Sequence, residues 1–329
     1  MEDRLLFSPG PVPLEITTRM EYSHRSVGFE TLYKSCKEKL EEITGRRILF
    51  VQGSASAAIE AVLRHLTGEE PEEYRVAIGM HSNGLFANRA AQLAASMGML
   101  VKDEKEMDLI RPFYNAGYAV QFETSESRIF DLTSFCDTCK VDGSISVVDS
   151  VSAFPYYPLP KADIVILSSA KQLRGLPVLG IIAYREDFIW DFTGQQPKTD
   201  YLSLPRIIEY DKKNQTPHTP MMPQFTSLWA SLRFGLWKPY VDEIAKNSRI
   251  ITTSFKEIVV GEEIAPVITL RVRSQKDVRE FLEKRGIEVY FNSSYMVQQI
   301  QISTFNYKEH TPYRRLVRNL EICRREGWL

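Results

Sequence analysis

Residues 144–171 read SISVVDSVSAFPYYPLPKADIVILSSAK. Two short apolar runs, ISVV and IVIL, each end on polar residues: Asp149 closes the first, and SSAK, carrying Lys171, follows the second. Runs of this length, rich in Val and Ile, read as strands buried on both faces, as in a parallel sheet. Asp149 and Lys171 stand 171 − 149 = 22 residues apart, so adjacent parallel strands would bring them to one edge of the sheet. A carboxylate ending an apolar strand is costly to bury unless it meets a cation or a strong donor. A lysine amine that attacks a carbonyl needs its pKa lowered, which partial burial and a nearby cation can do. Taken singly, a turn aspartate and a solvated strand-end lysine are the plainer readings; the pair calls for a common explanation.

Outward from this stretch the alternation continues. TLYKSCKEKLEEITG places Leu32, Cys36, Leu40 and Ile43 at helical spacing and stops at Gly45. RRILFVQG reads as a strand running into a turn, and SAAIEAVLRHLTG as a helix with Ile59, Val62, Leu63 and Leu66 on one face. RVAIGM, GYAVQFETS and GIIAYR are further strands, and LFANRAAQLAASMG is a helix. The pattern predicts an α/β fold with a mostly parallel central sheet and helices on both faces, in which ligands bind outside the carboxyl ends of the strands. From about Pro223 a long helical stretch runs to about Val259, with a break expected near Pro239. VITLRV, DVREFLEKRG, EVYF, QQIQIST and a last helix RRLVRNLEICRREGW then predict a small C-terminal α+β domain.

The 329 residues suffice for one large domain and a smaller partner. Lys plus Arg number 41 against 42 acidic residues, with no long run of one charge, so there is no electrostatic footprint for nucleic acid. No apolar run approaches the ~18 residues of a spanning helix, and the amino terminus MEDRLLFSPGPVP has no signal-peptide character. Four cysteines make no dense framework, and a cytoplasmic setting is expected. Cys136-x-x-Cys139, without a second pair or a nearby His, reads as two ordinary thiols, and no metal site is expected. Phe225, Trp229, Phe234 and Trp237 read as packing between the domains.

Two more polar signals fall at strand ends. QGSASAA (52–58) joins a strand to a helix, and its backbone N–H groups with the hydroxyls of Ser54 and Ser56 suit a phosphate, although serine is also an ordinary N-cap. ETS (123–125) adds hydroxyls at Thr124 and Ser125, where a polar turn is the plainer reading. Taken jointly, a phosphate site, a lysine for an aldehyde, a carboxylate for a ring-nitrogen cation and hydroxyls for a phenolate edge describe one ligand, pyridoxal 5′-phosphate.

The chain resembles the class V aminotransferases of the fold-type I pyridoxal phosphate enzymes. The resemblance runs through FSPGPV (7–12), YSHRSVGFETLY (22–33), FVQGSASAAIEAVL (50–63), NGLFANR (83–89), ETS (123–125), VVDSVSAFP (147–155), SSAK (168–171) and QTPHTP (215–220). It implies a large cofactor-binding domain over 13–235, a small domain over 236–329, and residues 1–12 packing near the latter. It further implies that Lys171 forms the internal aldimine and later moves the substrate proton, that Asp149 pairs with the pyridine nitrogen, and that Val151 packs under the ring. Phe86 would stack on the other face, Ser54, Ala55, Ser56 and Ser169 would hold the phosphate, and Ser125 would lie near the ring oxygen. His218 and Thr219 match a segment that reaches the phosphate from the neighbouring subunit, implying a homodimer with a shared active site. His24 and Arg25 match the segment lining the substrate entrance.

One position departs from the family. Most members carry an arginine on a late strand that holds the substrate carboxylate bidentately, whereas IQISTFN has Gln301 at the corresponding substrate-binding position. The expected activity is transfer of an amino group between a small amino acid of the alanine or serine type and a 2-oxo acid of the glyoxylate or pyruvate type, with ping-pong kinetics. Phosphoserine aminotransferase, a pyridoxal phosphate lyase and a non-catalytic relative are the alternatives.

Overall fold

The computed structural model describes residues 4–9, 23–67, 77–80, 84–103, 114–190, 200–291 and 298–329. It divides into two compact units: the smaller is built from the described residues of Leu236–Leu329 with residues 4–9, including the strand Leu5–Leu6, and Glu123–Ile129, and the larger from the other described residues up to Gly235.

The larger unit is organised by a sheet whose described strands run, edge to edge, Arg47–Gln52, Leu179–Tyr184, Ile164–Ser168, Ile145–Asp149, Tyr114–Val120, Ala77–Met80 and Leu100–Asp103. Every described neighbour pair is parallel except the two that involve Leu179–Tyr184, which is antiparallel to both its neighbours. The carboxyl ends of Arg47–Gln52, Ile145–Asp149 and Ile164–Ser168 therefore share one edge. Alternate residues face opposite sides: Ile48 and Phe50 enter one buried cluster, Leu49 and Val51 the other.

The helix Val27–Thr44 starts where the Ser26 side chain accepts the Phe29 amide and ends at Gly45 with φ of 65°. Its expected face is buried at Leu32, Cys36 and Leu40, with Ile43 packed against the same cluster. The helix Ala55–Thr67 buries Ala58, Ala61, Val62 and Leu63, while Ile59 and Leu66 are only partly buried. Small residues face the sheet because the backbones approach closely: a Cβ on Gly180 would meet the Ala58 Cβ and the Ser54 carbonyl at 2.9 Å each.

Two expectations are corrected. The long C-terminal helical stretch is three helices, Met222–Phe234, Lys238–Asp242 and Ile244–Phe255, and its first break is at Gly235, left-handed with φ of 61°. Pro239 instead sits in the first turn of a helix, where its missing N–H costs nothing. Phe225 is not packing between domains: it is buried inside the larger unit against Phe29, Tyr33 and Phe50, and Phe234 is exposed.

In the smaller unit Val267–Arg271 lies between Val259–Val260 and Gln299–Ser303, all antiparallel. Glu123–Ile129 is tied to it: the Ser127 hydroxyl donates to the Val267 carbonyl at 2.6 Å, and the Glu262 amide donates to the Ser127 carbonyl at 2.7 Å.

Candidate active site

Asp149 and Lys171 meet as the sequence spacing requires. Asp149 pairs in register with Ile166 of the adjacent parallel strand, which ends at Ser168, and Lys171 opens the short turn Lys171–Leu173 just beyond. Lys171 has φ of 53°, a left-handed conformation that a non-glycine residue holds only when its surroundings fix it. Its Nζ donates to the Ser152 hydroxyl at 2.6 Å and lies 5.5 Å from the centre of the Phe86 ring.

Asp149 is buried, and that burial pushes its carboxyl above the ordinary carboxylate range. Three groups oppose the shift without cancelling it: the Val151 amide, which donates to Oδ1 at 2.9 Å, the charge of Lys171 and the nearby Tyr118 hydroxyl. Tyr118 and Val120 lie on the face that Asp149 shares, because Val120 pairs in register with Asp149. A carboxylate so under-compensated suits a ligand that brings its own cation, such as a protonated ring nitrogen.

At the neighbouring strand end, Gly53 has φ of 117°, and a Cβ there would meet the Ala57 Cβ at 2.7 Å. Ser54 caps the helix that follows, its hydroxyl accepting the Ser56 amide at 3.2 Å, and Ala55 is buried. This turn has the small residues and the helix start that an anion site needs. The donor set as a whole fits pyridoxal 5′-phosphate: an amine for the aldehyde, a carboxylate for the ring nitrogen and a helix start for the phosphate. Val151 and Phe86 both pack on the cluster beneath this edge and could bound a planar ring.

Other expected residues stand as follows. Ser169 is fully buried and its hydroxyl donates to the Leu176 carbonyl at 2.7 Å, a bond that closes the turn. His218 stacks on Tyr201 at 4.1 Å, its carbonyl accepts from Gln52 Nε2 at 3.3 Å, and its Nε2 is buried without a hydrogen-bond partner among the described residues. Burial, then the charge of Arg206, lowers the His218 pKa, so the imidazole is neutral at pH 7. Thr219 is exposed, and His24 is partly buried. Arg25 donates to Gln215 Oε1 at 2.8 Å and to the Thr216 carbonyl at 2.9 Å, and lies over the Tyr210 ring.

Ser125 and Gln301 belong to the smaller unit. The Ser125 hydroxyl donates to Glu123 Oε1 at 2.5 Å. Gln301 is buried, and its amide nitrogen donates to the Thr124 carbonyl and to Thr269 Oγ1. Both amide protons are thus engaged within that unit. Cys136 and Cys139 are buried thiols pushed up to about 11 and about 12 by burial, which makes them poor nucleophiles and ligands. No group of metal-ligating side chains occurs among the described residues, and no described helix is long and apolar enough to cross a membrane. Sequence reasoning missed Ser152, Gln172 and Tyr118; Tyr118 fell on the period of two along GYAVQ, while nothing in the sequence marked the contacts of Ser152 and Gln172.

No family model matches the chain. A 2-aminoethylphosphonate–pyruvate transaminase of Burkholderia thailandensis is 28% identical over 272 residues, covering 75% of this chain and 71% of the relative. Among solved structures, ureidoglycine–glyoxylate aminotransferase from Bacillus subtilis superposes with a TM-score of 0.85 at 19% identity, covering 99% of this chain and 94% of that one. A subgroup IV aspartate aminotransferase from Thermus thermophilus gives 0.84 at 18% identity, covering 98% and 99%. The solved structures show the fold, that of the fold-type I aminotransferases, and the curated relatives the chain is similar to, at 26–28% identity, are transaminases, so the chain resembles the class V aminotransferases in both fold and sequence.

Proposed function

We propose that the chain moves an amino group between a small amino acid of the alanine or serine type and a 2-oxo acid of the glyoxylate or pyruvate type, in two half-reactions. The observation that carries this reading is the meeting of a half-buried lysine amine with a buried, under-compensated carboxylate at the ends of adjacent parallel strands. Bound pyridoxal 5′-phosphate supplies an electron sink for the substrate carbon that loses its proton. Asp149 keeps the ring nitrogen protonated, which maintains that sink. Lys171 Nζ would hold the cofactor by its aldehyde, and would take up the proton leaving the substrate's amine-bearing carbon. Ser54, Ala55 and Ser56 hold the phosphate through hydroxyls and the N–H groups of the helix start. Phe86 and Val151 bound the ring on its two faces and exclude water. His218 and Thr219 act from a second copy of the chain, so the working form is a homodimer. His24 and Arg25 line the substrate entrance, Arg25 attracting the anionic end of the substrate.

A second reading has specific support: the 28% relative is a 2-aminoethylphosphonate–pyruvate transaminase. A donor with a phosphonate and no α-carboxylate would not call on an arginine where this chain has Gln301, although the 2-oxo acid acceptor of the second half-reaction would still bring a carboxylate to the site.

The test is spectroscopic. Protein incubated with pyridoxal 5′-phosphate and desalted should retain the visible band of a lysine-bound cofactor, and Lys171→Ala should lose it. L-alanine, L-serine, phosphoserine and 2-aminoethylphosphonate are then added singly, and conversion of the band to the amine form identifies the donor. Product release without that conversion points to a lyase. A protein that retains no cofactor overturns the reading.

A further inference from the structure

A lysine side chain carries about 2 kcal/mol of rotamer entropy. An amine that must meet the same substrate carbon in every turnover therefore needs a fixed neighbour. In this chain that neighbour is Ser152, whose Oγ accepts from Lys171 Nζ at 2.6 Å.

Ser152 lies on the turn that follows Asp149, and the turn is held from two sides. On one side Gln121 accepts the Ser150 hydroxyl at 2.7 Å and donates to the Pro158 carbonyl at 2.7 Å. On the other stands Gln172, the residue directly after the lysine, which is 1% exposed. Its Nε2 donates to the carbonyls of Ser152 at 2.8 Å and Ala153 at 3.4 Å, while its Oε1 accepts the Tyr156 amide at 3.0 Å. The lysine's own turn is thereby tied to the loop that presents its partner hydroxyl. Removing this buried amide takes one hydrogen bond from each of three backbone groups, of which the Ala153 carbonyl keeps the Tyr157 amide at 2.9 Å.

We propose that Ser152 is a positioning residue for the Lys171 amine and that Gln172 fixes Ser152 by clamping the turn. The proposal rests on Lys171 being the amine that takes up the substrate proton. With Ser152 Oγ accepting one N–H, the nitrogen keeps its lone pair for that proton, and its direction is set. No bond is made or broken at Ser152.

The experiment uses the holoenzyme, with L-alanine and 2-aminoethylphosphonate as donors, each also deuterated at the amine-bearing carbon. In Ser152→Ala the first half-reaction should slow about tenfold, the effect of losing one hydrogen bond to an ionisable group. Its deuterium isotope effect should rise, because proton transfer becomes the slow step, and Ser152→Thr, which keeps the hydroxyl, should restore the rate. Melting temperature and amide exchange of the turn should match wild type in Ser152→Ala. In cofactor-free Gln172→Ala the Tyr156 amide should exchange faster, and the holoenzyme should show the same rate loss and isotope effect. A Ser152→Ala enzyme with wild-type rate and isotope effect overturns the proposal while the transaminase reading stands. So does a Gln172→Ala enzyme whose turn loosens without loss of rate. A wild type that converts neither donor overturns the transaminase reading, and the proposal falls with it.

Discussion

The Asp149 carboxylate allows a test of the site that needs no substrate. Burial pushes its pKa up against the Val151 amide, the Lys171 charge and the Tyr118 hydroxyl, so in the cofactor-free protein the charged form is strained. Asp149→Asn keeps an oxygen for the Val151 amide at nearly the same place and removes the charge. It forfeits the attraction to Lys171, which is the smaller effect, and is relieved of the burial penalty, which is the larger. The cofactor-free variant should therefore be more stable than wild type at pH 7, by about 1.4 kcal/mol for each pH unit separating the folded from the unfolded pKa. A raised folded-state pKa contributes stability that is fully present below the unfolded value of about 3.9 and is lost as pH rises through the folded value. The two proteins should thus have their closest stabilities near pH 4 and diverge upward. Saturating pyridoxal 5′-phosphate should reverse the order, because a neutral amide gives a ring cation no charge to meet. Urea denaturation across pH 4–8, with and without cofactor, measures both. A cofactor-free Asp149→Asn protein less stable than wild type at pH 7, or a gap independent of pH, refutes the reasoning.

Two further perturbations test the scaffold. Val178, a β-branched residue, holds φ of 74° while 47% exposed, fixed by the Gly53 amide on its carbonyl and by Gln224 on the carbonyls of Pro177 and Val178. Relief of about 1–2 kcal/mol of left-handed strain should exceed glycine's extra chain entropy of roughly 0.5–1 kcal/mol, so Val178→Gly should raise the urea midpoint; a clear fall contradicts this. Gln301→Leu leaves the buried Thr124 carbonyl with only the long bond from the Ser127 amide at 3.4 Å, and should lower stability by about 1–3 kcal/mol in the same assay; an unchanged midpoint would mean that Gln301 does not anchor Thr124.

What the sequence revealed and what it hid divide along physical lines. The sheet, its covering helices and the positions of Asp149 and Lys171 were legible because apolar periodicity and strand-end polarity are local properties of the chain. The break at Gly235 was misread because proline was weighed as a breaker without regard to its place in the first turn, where it is tolerated. The hydrogen bond of Ser169 was not legible, because a hydroxyl beside a functional lysine suits a ligand and a turn equally, and its bond to the Leu176 carbonyl at 2.7 Å appears only in the fold. Gln121 and Gln172 were invisible for the same reason: the groups they satisfy lie 16 to 37 residues away, and sequence spacing gives no measure of such contacts.

The surroundings of His218 bear on the choice between a carboxylate and a phosphonate or phosphate. Burial and then the charge of Arg206 disfavour its protonation, with Arg25 adding to the effect against a backbone hydrogen bond at Tyr201. A guanidinium field of this kind attracts any anion and does not by itself rank a carboxylate above a phosphonate. The neutral imidazole adds a response that depends on the charge of the arriving group. An anion near Nε2, which is buried without a partner among the described residues, offsets the two guanidiniums and raises the histidine pKa, making the ring a second donor. A dianion does this more strongly than a monoanion. If an anion is bound at this position, discrimination would follow from the number of charges it brings.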